Sequence, residues 1–139
     1  MTLRVFISVF LWMVFAGCGG VDDRIRESGC DTNTSLIAIS DAHSEVLCGC
    51  NQPANTRAHA PNQALSCTIS NGQTVVFEYI GVTNSHQIQI KNSSNEVIAT
   101  SLLSNKDRHY PAFGYQFSET GTFTFSDPFA SISGTITVQ

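Results

Sequence analysis

From Leu36 to Val138 the chain is a succession of short runs rich in β-branched and aromatic residues, separated by turn formers. This pattern constrains the fold more than any other feature. No long stretch repeats apolar residues at spacings of three and four, so helices are not expected. The runs predict strands at Leu36–Ser40, Val46–Cys50, Leu65–Ile69, Thr74–Ile80, His86–Lys91, Val97–Leu103, Phe113–Phe117, Thr122–Ser126 and Gly134–Val138. Between them lie Asn71-Gly72, Asn92-Ser93-Ser94-Asn95, Asn105-Lys106-Asp107 and Glu119-Thr120-Gly121. Glycine tolerates positive φ there, and Asn, Asp and Ser bond back to nearby backbone. Asn51 to Gln63 holds two prolines and little hydrophobicity and reads as a loop. Many short strands at close spacing predict an all-β sandwich.

Alternation assigns faces. Val75, Phe77 and Tyr79 share one side, as do His86, Ile88 and Ile90. Phe123 and Phe125 point together, with Asp127 next in phase. Successive side chains point to opposite faces of a sheet, so His86 and Asp127 are both expected at the rim of the buried side. Phe113, Tyr115 and Phe117 alternate and read as core; exposed, they would mark a partner surface.

Cys30, Cys48, Cys50 and Cys67 form an even set for an exported domain, which reads as two disulfides. Cys48 and Cys50 are too close in sequence to bond each other without straining the bridge. Each then pairs with Cys30 or Cys67, in either of two connectivities. A thiolate metal site of Cys48 and Cys50 with His43 or His59 is the sharper alternative, with oxidation competing against it.

The N-terminus carries an address. Arg4 precedes an apolar run from Val5 to Phe15 broken only by Ser8, and Ala16, Gly17 and Cys18 follow. Charged, apolar and small-residue zones in this order form a secretory signal, with an apolar run short for a bilayer-spanning helix. A cysteine at the cleavage point resembles the lipobox of bacterial lipoproteins, with Phe15 where Leu is usual. That resemblance implies removal of residues 1–17 and acyl chains, such as palmitate, on Cys18. Residues 18–29 then read as a glycine-bearing, charged tether, and residues 30–139 as the sandwich domain. Gly19 in place of an Asp after the lipidated cysteine implies the outer membrane, facing the periplasm or the outside.

Once Arg4 is removed, six basic side chains face eleven acidic ones, and Met1, Met13 and Trp12 leave with the signal. Such a balance excludes nucleic acid as a partner, since that role rewards clustered Lys and Arg.

The segment opening Gly72-Gln73-Thr74-Val75-Val76-Phe77, with His86 starting the next strand, carries a second resemblance. So do Phe117, Gly121, Phe123 and Phe125 leading to Gly134-Thr135-Ile136-Thr137-Val138. From Gly72 to the C-terminus the chain resembles the cupredoxins, small Greek-key sandwiches that hold blue copper. An immunoglobulin-like sandwich is the alternative fold, and would leave His86 an incidental strand residue. The resemblance puts a first copper ligand at His86 and the rest on the loop after the Phe123–Phe125 strand. A thiolate and two imidazoles in a trigonal array make such a centre, and a weak axial ligand tunes it. Asp127 stands at the cysteine position, Phe129 roughly where the second histidine is expected, and no methionine remains. The resemblance therefore implies a cupredoxin fold without type 1 copper and without a required cofactor.

His86, Asp127 and, from the loop Asn105–Pro111, His109 are the candidates for a weaker metal site, since one carboxylate and two imidazoles suit Cu(II) or Zn(II). A rim histidine bonded to a carboxylate accounts for the same residues. Asp107-Arg108-His109-Tyr110 reads as a solvated turn. Ser126 beside Asp127 lacks a glycine-flanked nucleophile turn, so no enzyme activity is expected. The functional expectation is a non-catalytic binding or structural lipoprotein of the cell envelope with a partner of unspecified kind. Copper handling or electron transfer through His86 is the rival.

Overall fold

The computed structural model describes residues 30–51, 56–57 and 64–139. The signal segment 1–17, Cys18, the tether 18–29 and His59 lie outside the described residues. Ten strands follow in chain order: β1 (Thr34–Ile39), β2 (Ser44–Cys48), β3 (Thr56–Arg57), β4 (Leu65–Ile69), β5 (Thr74–Tyr79), β6 (Gln89–Lys91), β7 (Val97–Thr100), β8 (Ala112–Gln116), β9 (Gly121–Asp127) and β10 (Ile132–Val138). No helix occurs among the described residues. One sheet runs β3-β2-β1-β5-β8 and the other β4-β10-β9-β6-β7. β1 pairs parallel to β5 and β4 parallel to β10; the remaining pairs are antiparallel.

The period-two faces hold. Val75, Phe77, Ile88, Ile90, Phe125 and Ile136 are buried between the sheets. Phe77 of one sheet meets Phe125 of the other with ring centroids 5.0 Å apart, and Phe117 meets Phe123 at 5.0 Å. Phe113 and Tyr115 are partly buried and pack against this core. Gly134 on β10 makes room for the Phe125 ring: a Cβ there would sit 2.3 Å from the nearest carbon of that ring and 2.6 Å from the Leu65 carbonyl oxygen.

Three sequence expectations need correction. Thr56–Arg57, inside the stretch read as a loop, forms β3 by pairing with Glu45 and Val46 at the open edge of β2. The strand expected from His86 is regular only over Gln89–Lys91. His86 makes an isolated bridge to Ser104, and the Ile88 N–H is taken by the Ser101 hydroxyl at 2.9 Å rather than by a ladder carbonyl. The same hydroxyl donates to the Leu102 carbonyl, so β7 ends at Thr100 instead of continuing to Leu103.

Two disulfides close the N-terminal half: Cys30–Cys48, with Cα atoms 5.6 Å apart, and Cys50–Cys67, at 4.6 Å. A sulfur in a disulfide is no thiolate, so the metal alternative built on Cys48 and Cys50 fails. His43 instead contacts the Ser40 hydroxyl through Nδ1 at 3.1 Å. Between the bridges Gly49, Cys50 and Asn51 all have positive φ, at 77°, 57° and 42°. Gly49 takes that conformation freely and asparagine adopts it readily, whereas for Cys50 it is strained. The buried Cys50 N–H donates to Ser35 Oγ at 3.0 Å, which fixes the turn against β1.

Candidate functional site at one end of the sandwich

His86 is the first member of the inward row that continues with Ile88 and Ile90, and all three are fully buried. Asp127 is the last member of the inward row of β9. The two rows end side by side because β6 pairs with β9, Gln89 opposite Ser126. His86 Nδ1 lies 2.7 Å from Asp127 Oδ2, with both side chains fully buried. The other oxygen of Asp127 accepts from the Gln87 N–H at 3.3 Å and the Phe129 N–H at 2.9 Å. The latter bond belongs to the tight turn between β9 and β10.

The far side of the ring meets a residue that sequence reasoning missed. His86 Nε2 lies 2.9 Å from Oδ1 of Asp41, on the turn between β1 and β2. Asp41 also accepts from the Thr83 hydroxyl at 2.6 Å, the Thr83 N–H at 3.0 Å and the Asn84 N–H at 3.1 Å. These donors favour the ionised carboxylate. The Thr83 hydroxyl foremost, then His86 and the backbone donors, hold the Asp41 carboxyl well below its ordinary range against some opposing desolvation.

A second layer lies behind the ring. Tyr79 stands 6.2 Å from His86, centroid to centroid. Its hydroxyl meets Ser101 Oγ at 3.0 Å, and burial pushes the phenol up from its ordinary value. Ser104 Oγ donates to the Tyr110 carbonyl and accepts the Tyr110 N–H, which pins the 105–110 loop. His109 is exposed on that loop. An open depression of about 360 Å³ lies outside His86, lined in part by Asp41, Asn84 and Phe129.

This arrangement limits what the imidazole can do. Both ring nitrogens face carboxylate oxygens at hydrogen-bond distance, so neither is free toward a third group. In a hydrolytic triad the second nitrogen faces a nucleophile; here it faces Asp41. The resemblance to copper proteins raises the question of whether His86 and Asp127 could share an ion. Two ligands each about 2.0–2.2 Å from one ion, separated by a right angle or more, stand about 2.8 Å or more apart. At 2.7 Å Nδ1 and Oδ2 are hydrogen-bonded to each other and not turned toward a common third point. Phe129 offers no donor and is 56% exposed. Among the described residues no three His, Cys, Asp or Glu side chains are grouped to hold a metal, so His109 does not join the pair. The residues as they stand do not fit a copper centre.

No protein-family model and no curated protein sequence matches the chain. Solved structures do match its fold. A purple cupredoxin from Nitrosopumilus maritimus superposes with a TM-score of 0.50 at 22% identity, over 76% of this chain and 99% of that one. Rusticyanin from Thiobacillus ferrooxidans gives 0.51 at 14% identity, over 77% and 78% of the two chains. A Cu(I) form of an amicyanin mutant gives 0.50 at 12% identity, over 82% and 89%. With two sheets, no helix among the described residues and these neighbours, the fold is that of a cupredoxin.

Proposed function

We propose that this chain is a lipid-anchored protein of the bacterial cell envelope, in the outer membrane. Its cupredoxin sandwich has a non-catalytic binding or structural role and carries no type 1 copper. The observation that carries the reading is the engagement of both His86 nitrogens by Asp127 and Asp41, in the place where the resemblance puts a copper ligand. An electron carrier needs a metal that can change oxidation state, and a metal carrier needs ligands free to exchange. Here the imidazole is buried and closed on both sides. The anchor rests on Phe15-Ala16-Gly17-Cys18, and acyl chains bring about 0.8 kcal/mol per buried methylene, enough in combination to hold a domain at a membrane.

Mass spectrometry of the protein extracted from bacterial membranes tests the anchor. An N-terminal peptide beginning at Cys18 with added acyl mass is expected, and Cys18→Ser leaves an unacylated precursor. A mature terminus elsewhere without acyl mass refutes the anchor. Elemental analysis of the same material tests the rest: stoichiometric copper with an intense visible band overturns the copper-free reading.

A further inference from the structure

We infer that protons occupy the place of a metal at this end of the sandwich: Asp41, His86 and Asp127 form a proton-bridged clamp that ties the two sheets together and excludes copper. Three segments far apart in sequence meet at one ring. Asp41 leaves β1 in the first sheet, while His86 precedes β6 and Asp127 ends β9 in the second. Nδ1 to Oδ2 is 2.7 Å and Nε2 to Oδ1 is 2.9 Å, distances at which a shared proton makes a charge-assisted hydrogen bond.

The clamp is buttressed on every side. The Thr83 and Asn84 donors hold Asp41, the Gln87 and Phe129 N–H groups hold Asp127, and the His86 backbone bridges Ser104 in both directions at 2.8 and 2.9 Å. None of these groups has to move to complete the end of the domain. A metal would have to displace a bridging proton and part His86 from a carboxylate that the backbone holds in place. Clamp and metal are therefore mutually exclusive. The copper-free character is shared with the proposed function; the ring protons, read in the absence of metal, test the clamp separately.

The experiment is NMR of the full chain in detergent micelles with ¹⁵N-labelled histidine, with and without equimolar CuCl₂. The expected result is two low-field protons at the His86 ring that exchange with water at least about tenfold more slowly than those of His43 and His109. Copper leaves both signals and the Tm unchanged, even where it broadens the other histidines. Asp127→Asn and Asp41→Asn keep the side-chain shape and an acceptor oxygen but remove the charge, and each is expected to speed exchange of the proton on its own side. Rapid exchange at His86 in the unsubstituted protein overturns the clamp. Loss of the His86 signals at one equivalent of copper, with a raised Tm, overturns the exclusion of metal.

Discussion

His86 and Asp127 lie 41 residues apart in sequence and meet at 2.7 Å with both side chains removed from water. Breaking a buried pair by removing one partner costs more than the pair contributes, because the survivor keeps its desolvation penalty. Asp127→Ala also strips the acceptor from the Gln87 and Phe129 N–H groups. Its expected cost is about 3 kcal/mol or more. Asp127→Asn, which keeps one acceptor oxygen, is expected to cost less. Urea unfolding of both variants checks the order, and equal costs would show that charge and not shape dominates.

Asp41 gives a prediction about acid. Its carboxyl is held below the ordinary value of 3.8 in the folded protein by the Thr83 hydroxyl first and His86 next. A depressed carboxyl contributes stability above the unfolded value, and that contribution is lost as pH falls through the folded one. Asp41→Asn is therefore expected to be less stable than the parent at neutral pH. The gap between the two should stay constant down to about pH 5 and narrow below it. A gap that widens on acidification would contradict the assignment of Asp41 as the stabilised carboxylate. The tests are unfolding curves at a series of pH values.

Much of this end of the molecule was legible from alternation alone. The inward phase of His86-Ile88-Ile90 and of Phe123-Phe125-Asp127 put both polar residues at the ends of buried rows, and both lie there. Asp41 was legible by the same rule and was missed. It is next in phase after Ile37 and Ile39, two fully buried members of β1. It also sits one residue beyond the predicted strand, where Ser40-Asp41 reads as turn chemistry. Phase says which face a residue takes, but not which residue of the opposite sheet it will meet. The late start of β6 and the early end of β7 were hidden for a different reason. They depend on Ser101, whose hydroxyl replaces a ladder carbonyl, and composition does not distinguish that serine from a solvent-facing one.

Gly134 is expected to be intolerant of any side chain. The Cβ of Gly134→Ala would come within 2.3 Å of a Phe125 ring carbon and 2.6 Å of the Leu65 carbonyl, with backbone on one side and a buried ring on the other. Overpacking of this kind costs about 1–3 kcal/mol. Gly114 on β8 provides the contrast, since a Cβ there meets only the methyl groups of Thr74 and Val76 at 3.7 Å. Gly114→Ala should be close to neutral. Thermal melts of the two variants decide it, and a Gly134→Ala protein as stable as the parent would refute the packing assignment.

The two disulfides should differ in how they respond to reductant. Cys50 and Cys67 are buried at 2% and 0% exposure, whereas Cys30 and Cys48 are partly exposed. Their loops are similar, with sequence separations of 17 and 18, so the loop-closure contribution of each is of order 3 kcal/mol. Access therefore separates them. Under mild reduction Cys30–Cys48 is expected to open first, read by alkylation and peptide mapping. Cys50–Cys67 should open only with unfolding. Simultaneous labelling of all four thiols in the native protein would count against this order.

Ser101 and Tyr79 provide a prediction about a hydroxyl that replaces backbone pairing. Ser101 Oγ accepts the Ile88 N–H, donates to the Leu102 carbonyl and meets the Tyr79 hydroxyl. Because its proton goes to Leu102, Tyr79 is the donor in their contact. Tyr79→Phe removes that donor and leaves Ser101 with its two backbone partners, so its cost should be about 1 kcal/mol. Ser101→Ala takes the Ser101 acceptor from both the buried Ile88 N–H and the Tyr79 hydroxyl, and a buried group left unsatisfied costs about 1–3 kcal/mol. The serine variant is therefore expected to be the more damaging, although it removes a smaller group. In the double variant one orphan is already gone, so its cost should fall short of the sum of the singles. Additive costs would mean that Tyr79 and Ser101 are not coupled through this bond. A tyrosine variant worse than the serine variant would place the weight on ring packing instead.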